Sequence, residues 1–351
     1  MKAARYHGPL DVRVEEVAEP SAPGTHELRL RVVRAAICGT DASEYKHGPV
    51  QIPLLKPHYG SGHQGPITLG HEFTGVVEAV GSGVEDFAVG DRVVPGAGMW
   101  CGECAWCAAG RHNLCARYYT LGLHADGGLA DLVNAPTLMC RHVPQECSDD
   151  AAAIAQPFAV ALHGLRRARV EAGQTVVLIG VGGIGFFLLA GTLARRVGRL
   201  IVVDIDDERL ASAREFGAHE TINAATTDAA AAILELTDGI GADVVLEASG
   251  AAPGPELSRR AVRRGGTILM LGIQAEPRAL DLADLTIREV DVVSTNAHVC
   301  TVDLPESIEL LRDERIVAAA IDRVVPLEAF VEEGLVPLVE GKVAGKVLVR
   351  P

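Results

Sequence analysis

The stretch from Thr175 to Gly217 restricts the possible folds of this chain more than any other. An apolar, β-branched run, Thr175-Val176-Val177-Leu178-Ile179, leads into Gly180-Val181-Gly182-Gly183-Ile184-Gly185, and an apolar helical pattern continues over residues 184–197. A second strand pattern covers 199–203, and a helical pattern over 208–216 stops at Gly217. Unbroken apolar runs of this length suit strands covered on both faces. Strands alternating with ten- to fifteen-residue helices build βαβ units and a parallel sheet. Further apolar runs at 243–246, 267–271 and 290–294 extend it. The expected class is therefore α/β, with a doubly wound parallel sheet in the middle of the chain.

The glycines carry chemistry because of where they stand. Between a buried strand and a helix, Gly180 permits the tight turn, Gly182 lets the backbone approach a pyrophosphate, and Gly185 lets the helix pack closely. Gly183 and Ile184 open the helix, whose free N–H groups and dipole attract phosphate. Asp204 closes the next strand, where a carboxylate can bond the hydroxyls of an adenosine ribose. Asp206, Asp207 and Glu208 crowd that place with negative charge and should repel a 2′-phosphate, so NAD(H) is expected over NADP(H). Arg209 alone argues the other way, unless it is a plain helix-surface charge.

The regions on either side differ. Residues 1 to about 150 read as β-rich, with runs such as 27–33 and 74–80 bounded by Gly or Pro. A polar loop over 48–65 has no helical period. Residues 151–167 are alanine-rich and suit a helix, and 346–349 form a last strand-like run. The length of 351 residues accommodates two domains. Lys and Arg number 32 against 46 Asp and Glu, giving −14 with no basic block, so neither nucleic acid nor an anionic membrane is an expected partner. The start, Met1-Lys2-Ala3-Ala4-Arg5, has no signal-peptide pattern, and the longest apolar stretch is interrupted by glycines. A cytoplasmic location is the expectation.

Four of the eight cysteines, Cys101, Cys104, Cys107 and Cys115, fall within fifteen residues. Four thiolates close a tetrahedral shell and leave no place for substrate, so this lobe, about 96–116, reads as a structural zinc site. An iron–sulfur cluster is the competing reading, and a disulfide pair fits less well in a cytosolic chain.

Gly70-His71-Glu72-x-x-Gly75, Gly90-Asp91-Arg92-Val93 and Cys38-Gly39-Thr40-Asp41 join the cysteine lobe and the glycine turn in one pattern. Together they closely resemble the zinc-dependent medium-chain alcohol dehydrogenases, nearly end to end. The nearest branch is that of the 2,3-butanediol and sorbitol (polyol) dehydrogenases, through Ile37-Cys38-Gly39-Thr40-Asp41, Lys56-Pro57-His58 and Gln156-Pro157-x-Ala159.

The resemblance implies a GroES-like β-rich catalytic domain over 1–153 and 297–351, with a Rossmann NAD-binding domain over 154–296. It places a catalytic zinc at Cys38 and His71, with Glu72 close by and a further ligand at Gln156. Thr40 matches the hydroxyl that takes the alcohol proton. Leu271, Gly272, Ile273 and Thr295 join the cofactor-binding residues. The implied reaction interconverts a secondary alcohol (a vicinal diol, polyol or cyclic polyol) and a ketone by zinc-assisted hydride transfer, in a homodimer or homotetramer.

Two positions depart from that pattern. Gln156 stands where the branch usually has a glutamate, and Ser43 where many relatives have a proton-relaying histidine. The amide leaves the zinc with more positive charge and a weaker ligand, with three consequences open: a looser zinc, Glu72 swinging in, or no catalytic zinc. Serine has no pKa near neutrality, which makes His47 and His58 candidate substitutes. Two other readings remain: a zinc-independent reductase of a conjugated C=C bond or iminium, and a catalytically inactive NAD(H)-binding protein.

Overall fold

In the computed structural model, which describes residues 1–351, the middle of the chain forms a six-stranded sheet. Its order is Glu220–Asn223, Arg199–Asp204, Thr175–Ile179, Ala242–Glu247, Val262–Met270 and Asp291–Ser294, and every neighbouring pair is parallel. In sequence order this is 3-2-1-4-5-6, which puts the glycine turn at the carboxyl end of the first strand, where the strand order reverses. Val177, Ile179, Ile201, Val203, Val245 and Ile268 are among the side chains that close its core.

Two of its helices start on carboxylates. Asp206 accepts from the N–H groups of Glu208 and Arg209, and Asp228 from those of Ala230 and Ala231. Gly217, at φ 132°, ends the helix Asp207–Phe216.

The two flanking regions fold together. Strands Cys140–His142, Arg92–Pro95, Glu72–Val80, Glu27–Ala36, Lys346–Arg350 and Ile321–Pro326 make one sheet in that order, and Leu132–Pro136 also pairs with Glu27–Ala36. Asp11–Glu16, Lys2–Gly8 and Ile67–Thr68 make a smaller one. Lys346–Arg350 runs antiparallel to Glu27–Ala36, pairing Leu348 with Ala36, so a strand from the far end of the sequence joins this sheet.

The chain divides into two units, Met1–Ala159 with His298–Pro351, and Val160–Ala297. The first changeover thus falls inside a helix, a few residues beyond the expected 153. Residues 151–167 also form two helices, Asp149–Ala153 and Ala155–Arg167, separated at Ile154. Ser307 Oγ donates to the Ala155 carbonyl at 2.9 Å, tying the first turn of the longer helix to the first unit. No helix is long and apolar enough to cross a membrane.

Candidate metal centres and dinucleotide turn

Three strand ends converge near Cys38. The strand Glu27–Ala36 ends just before it, Ala36 pairs with Glu72 at the start of Glu72–Val80, and Ile37 N–H donates to the Val347 carbonyl at 3.0 Å. Cys38 precedes the helix Gly39–His47, and its N–H donates to Asp41 Oδ2 at 2.9 Å. Ligand atoms of Cys38, His71 and Glu72 all lie within 4.8 Å of one another. His71 is buried, with Nδ1 3.8 Å from the fully buried Asp41 Oδ1. At that distance the carboxylate places negative charge beside the imidazole without a hydrogen bond, since neither Asp41 Oδ1 nor His71 Nδ1 has a partner.

Glu72 is bound differently from the expectation that it stands among the metal ligands. Both of its carboxylate oxygens are 2.6 Å from Lys346 Nζ, which also donates to the Ile37 carbonyl at 3.3 Å. To swing onto a metal it would have to leave a buried ammonium behind. Lys346 escaped the sequence reading because a single lysine inside an apolar strand looks like an outward-facing charge. No alternation marks it, because Lys346, Val347, Leu348 and Val349 are all buried.

The charges in this cluster suit a divalent cation. With Cys38 as thiolate, three anionic groups, Cys38, Asp41 and Glu72, face the buried Lys346 and an imidazole, His71, that they hold protonated. Burial opposes a charge on His71, but Cys38, Asp41 and Glu72 outweigh it and push its pKa up to about 10. Burial likewise opposes the Lys346 charge, and Glu72 and Cys38 more than restore it. The donor set is short of positive charge, and zinc fits it.

Gln156 is buried in the first turn of Ala155–Arg167, in the same unit. Thr40 is half-buried, its hydroxyl 3.6 Å from Cys38 Sγ, while Ser43 and His47 are exposed. His58 is half-buried, and its Nδ1 accepts from the N–H groups of Gly60 and Ser61, both at 3.2 Å. Burial lowers its pKa and backbone donors occupy its Nδ1, which makes His58 a poor substitute for a proton carrier.

The cysteine lobe is more regular. Sγ–Sγ separations are 3.5 Å for Cys104–Cys107, 3.5 Å for Cys101–Cys115 and 4.0 Å for Cys101–Cys107. A tetrahedron with Zn–S arms of about 2.3 Å has edges of roughly 3.8 Å, so zinc fits between the four sulfurs. None of the four is in a disulfide. Backbone N–H groups from Ala116 and Cys107 bring the Cys104 thiol down to about 6, favouring the thiolate that a metal needs.

In the other unit, Gly180 has φ 86°, and a Cβ on Gly185 would fall 2.0 Å from the Gly180 carbonyl oxygen. Gly183, by contrast, faces open space at the start of the helix Gly183–Ala194, as a phosphate cradle requires. Ile184 lies in that helix's first turn. Asp204 Oδ2 accepts from Val181 N–H and Oδ1 from Ile205 N–H, each at 2.8 Å, which fixes its carboxylate beside the turn. Arg209 Nη1 lies 3.6 Å from where a Cβ of Gly182 would be, so this guanidinium sits over the glycines. The Leu271 and Gly272 N–H groups both donate to the Glu247 carbonyl at 2.9 Å, Ile273 is exposed, and the buried Thr295 hydroxyl has no partner. The turn fits a dinucleotide.

Comparison with known proteins agrees with this geometry. Residues 24–145 match the alcohol dehydrogenase GroES-like domain, and residues 183–313 match the zinc-binding dehydrogenase family. The chain is 33% identical over 321 residues to a sorbitol dehydrogenase of Halalkalibacterium halodurans, covering 90% of this chain and 89% of the relative. It is similar to the crystal structure of 2R,3R-butanediol dehydrogenase from Bacillus subtilis, with a TM-score of 0.92, 30% identity, and coverage of 100% and 99% of the two chains. It is also similar to a putative zinc-binding dehydrogenase from Sinorhizobium meliloti 1021 bound to NADP, at TM-score 0.89 and 29% identity, covering 100% and 99%.

Proposed function

The chain belongs to the zinc-binding alcohol dehydrogenase family, and from that premise we propose that it interconverts a vicinal diol, polyol or cyclic polyol with the corresponding ketone, using NAD(H). The observation that carries this reading is the buried meeting of Cys38 and His71, with Asp41 behind the imidazole and a deficit of positive charge around them. A zinc ion held by Cys38 and His71, with Gln156 as the expected third ligand, supplies a Lewis acid that makes an alcohol easier to deprotonate. The dinucleotide seated on the Gly180–Gly185 turn supplies the hydride acceptor or donor.

The chain's own residues do the rest. Asp41, fully buried 3.8 Å from His71 Nδ1, adds negative charge beside the imidazole, and the Glu72–Lys346 pair stabilises charge next to that site. The Thr40 hydroxyl, beside Cys38 Sγ, takes the substrate proton, and Ser43, three residues on and exposed, passes it to water. Asp204 receives ribose hydroxyls, and the acidic run Asp206, Asp207 and Glu208 disfavours a 2′-phosphate, although Arg209 lies close. We also infer a homo-oligomer. The strand Asp291–Ser294 lies at the edge of its sheet with most of its residues exposed, which suits strand pairing with a second copy.

Metal analysis and turnover test this together. Two zinc ions per chain and NAD⁺ reduction with (R,R)-2,3-butanediol or sorbitol are expected. One zinc per chain with no turnover of any secondary alcohol would remove the reading.

A further inference from the structure

Two histidines beside the Cys38–His71 cluster are built as a unit that the mechanism above does not use. His58 and His124 stack with ring centroids 4.2 Å apart and planes 18° from parallel, and the Tyr59 ring lies tilted against His58 at 4.5 Å. Each ring has its Nδ1 occupied by backbone donors: Gly60 and Ser61 N–H on His58, and Thr120 N–H at 3.0 Å on His124. An Nδ1 that accepts puts the proton on Nε2. Neither Nε2 has a partner in the protein, and neither is sealed from solvent. The two loops are stitched together, since Ser61 Oγ donates to the His124 carbonyl.

This unit sits against the metal cluster. Gly128 N–H donates to the Gly70 carbonyl at 2.8 Å, and a Cβ on Gly122 would come within 2.4 Å of Gly70 backbone, so the turn carrying His124 lies directly on the residue before His71. Burial, followed by the charges of His58 and His71, lowers the His124 pKa to about 4, so the ring is neutral through the physiological range.

We propose that the His58–His124 stack is a substrate-positioning site: its two outward N–H groups hold an uncharged hydroxyl of the substrate one or more carbons away from the reacting alcohol. This rests on the reading of the chain as a polyol dehydrogenase and names the feature that would select hydroxyl-rich substrates over simple secondary alcohols. Neutral donors suit a hydroxyl; a carboxylate or phosphate would call for a cation, and neither ring carries one.

The test compares sorbitol with 2-butanol in wild type, His124→Phe and His58→Phe, each variant keeping an aromatic ring for the stack. The ratio of kcat/KM for sorbitol to that for 2-butanol should fall at least tenfold in either variant, through KM for sorbitol, with kcat for sorbitol changing less than about twofold. Calorimetric titration of sorbitol into the wild-type and variant NADH complexes should show the same loss of affinity. An unchanged ratio in a variant with wild-type circular dichroism overturns the proposal, as does a loss confined to kcat. A wild type that prefers a sugar acid such as gluconate to sorbitol overturns the uncharged-hydroxyl assignment. Wild-type turnover of 2-butanol but not of sorbitol sinks this inference and leaves the dehydrogenase reading standing; turnover of neither removes both.

Discussion

The cysteine lobe and the Cys38–His71 cluster are both built for a cation, and they are assembled in opposite ways. Cys101, Cys104, Cys107 and Cys115 come from one short segment, with their sulfurs already spaced like the corners of a tetrahedron. The other cluster gathers Cys38, Asp41, His71, Glu72 and Lys346 from three strand ends and one helix start, and its charge is mixed. A shell of four thiolates supplied locally is closed and can only brace the fold. A cluster in which one thiol and one imidazole meet, with a salt bridge beside them, offers a cation fewer protein ligands than a closed shell and suits the proposed site for substrate.

The sharpest way to break that contrast is to remove one sulfur from each. Cys38→Ala should lower alcohol turnover by at least ~10³-fold and leave one zinc per chain in a folded protein. Cys104→Ala should instead lower the melting temperature along with zinc content. Metal analysis and thermal melts on both variants check this, and loss of the same zinc in both would merge the two sites.

The mixed charge offers the next test. Lys346→Met leaves the Glu72 carboxylate buried without its partner, which should cost about 3–5 kcal/mol in urea unfolding at neutral pH. Glu72→Gln combined with Lys346→Met should recover most of that loss. If the single variant melts like wild type, the pair is not buried as described.

A smaller effect should follow from Gln156→Glu. A carboxylate is a better ligand for zinc than an amide, so zinc should be retained about tenfold more tightly, roughly 1.4 kcal/mol, against a competing chelator. Equal retention would place residue 156 outside the shell.

The smallest expected effect concerns pH. The folded-state pKa of His124, at about 4, lies below its ordinary value of 6.5, so the unfolded chain binds more protons between those values. Stability from this group is present above pH 6.5 and is lost as pH falls toward 4. His124→Phe should therefore show a shallower acid limb than wild type when urea midpoints at pH 4.5 and pH 7 are compared. Parallel limbs would mean that His124 is not held neutral by the fold.

The same contrast explains what could be read from the amino acids. The parallel sheet was legible because its strands are buried on both faces, so Thr175–Ile179 and Arg199–Asp204 are apolar without alternation. The cysteine lobe was legible because its ligands are close in sequence. Cys38 and His71 needed the family resemblance, since nothing local links them. Lys346 was out of reach because its role depends on a strand pairing that places it beside Glu72, 274 residues away. His124 was missed for a similar reason: its place is set by Gly122 and Gly128 lying on Gly70. Even the helix expected over 151–167 failed only at Ile154, where no proline or glycine announced the break.

The strand Lys346–Arg350 has a consequence for synthesis. A ribosome will have added 274 residues beyond Glu72 before the ammonium that balances it exists, and more before it leaves the exit tunnel. Until then a nascent chain can bring its four lobe cysteines together, but it cannot complete the Glu72–Lys346 pair beside Cys38 and His71. The two clusters are therefore ordered in time, the cysteine lobe complete in sequence at Cys115 and the Cys38–His71 neighbourhood only once Lys346 has been made.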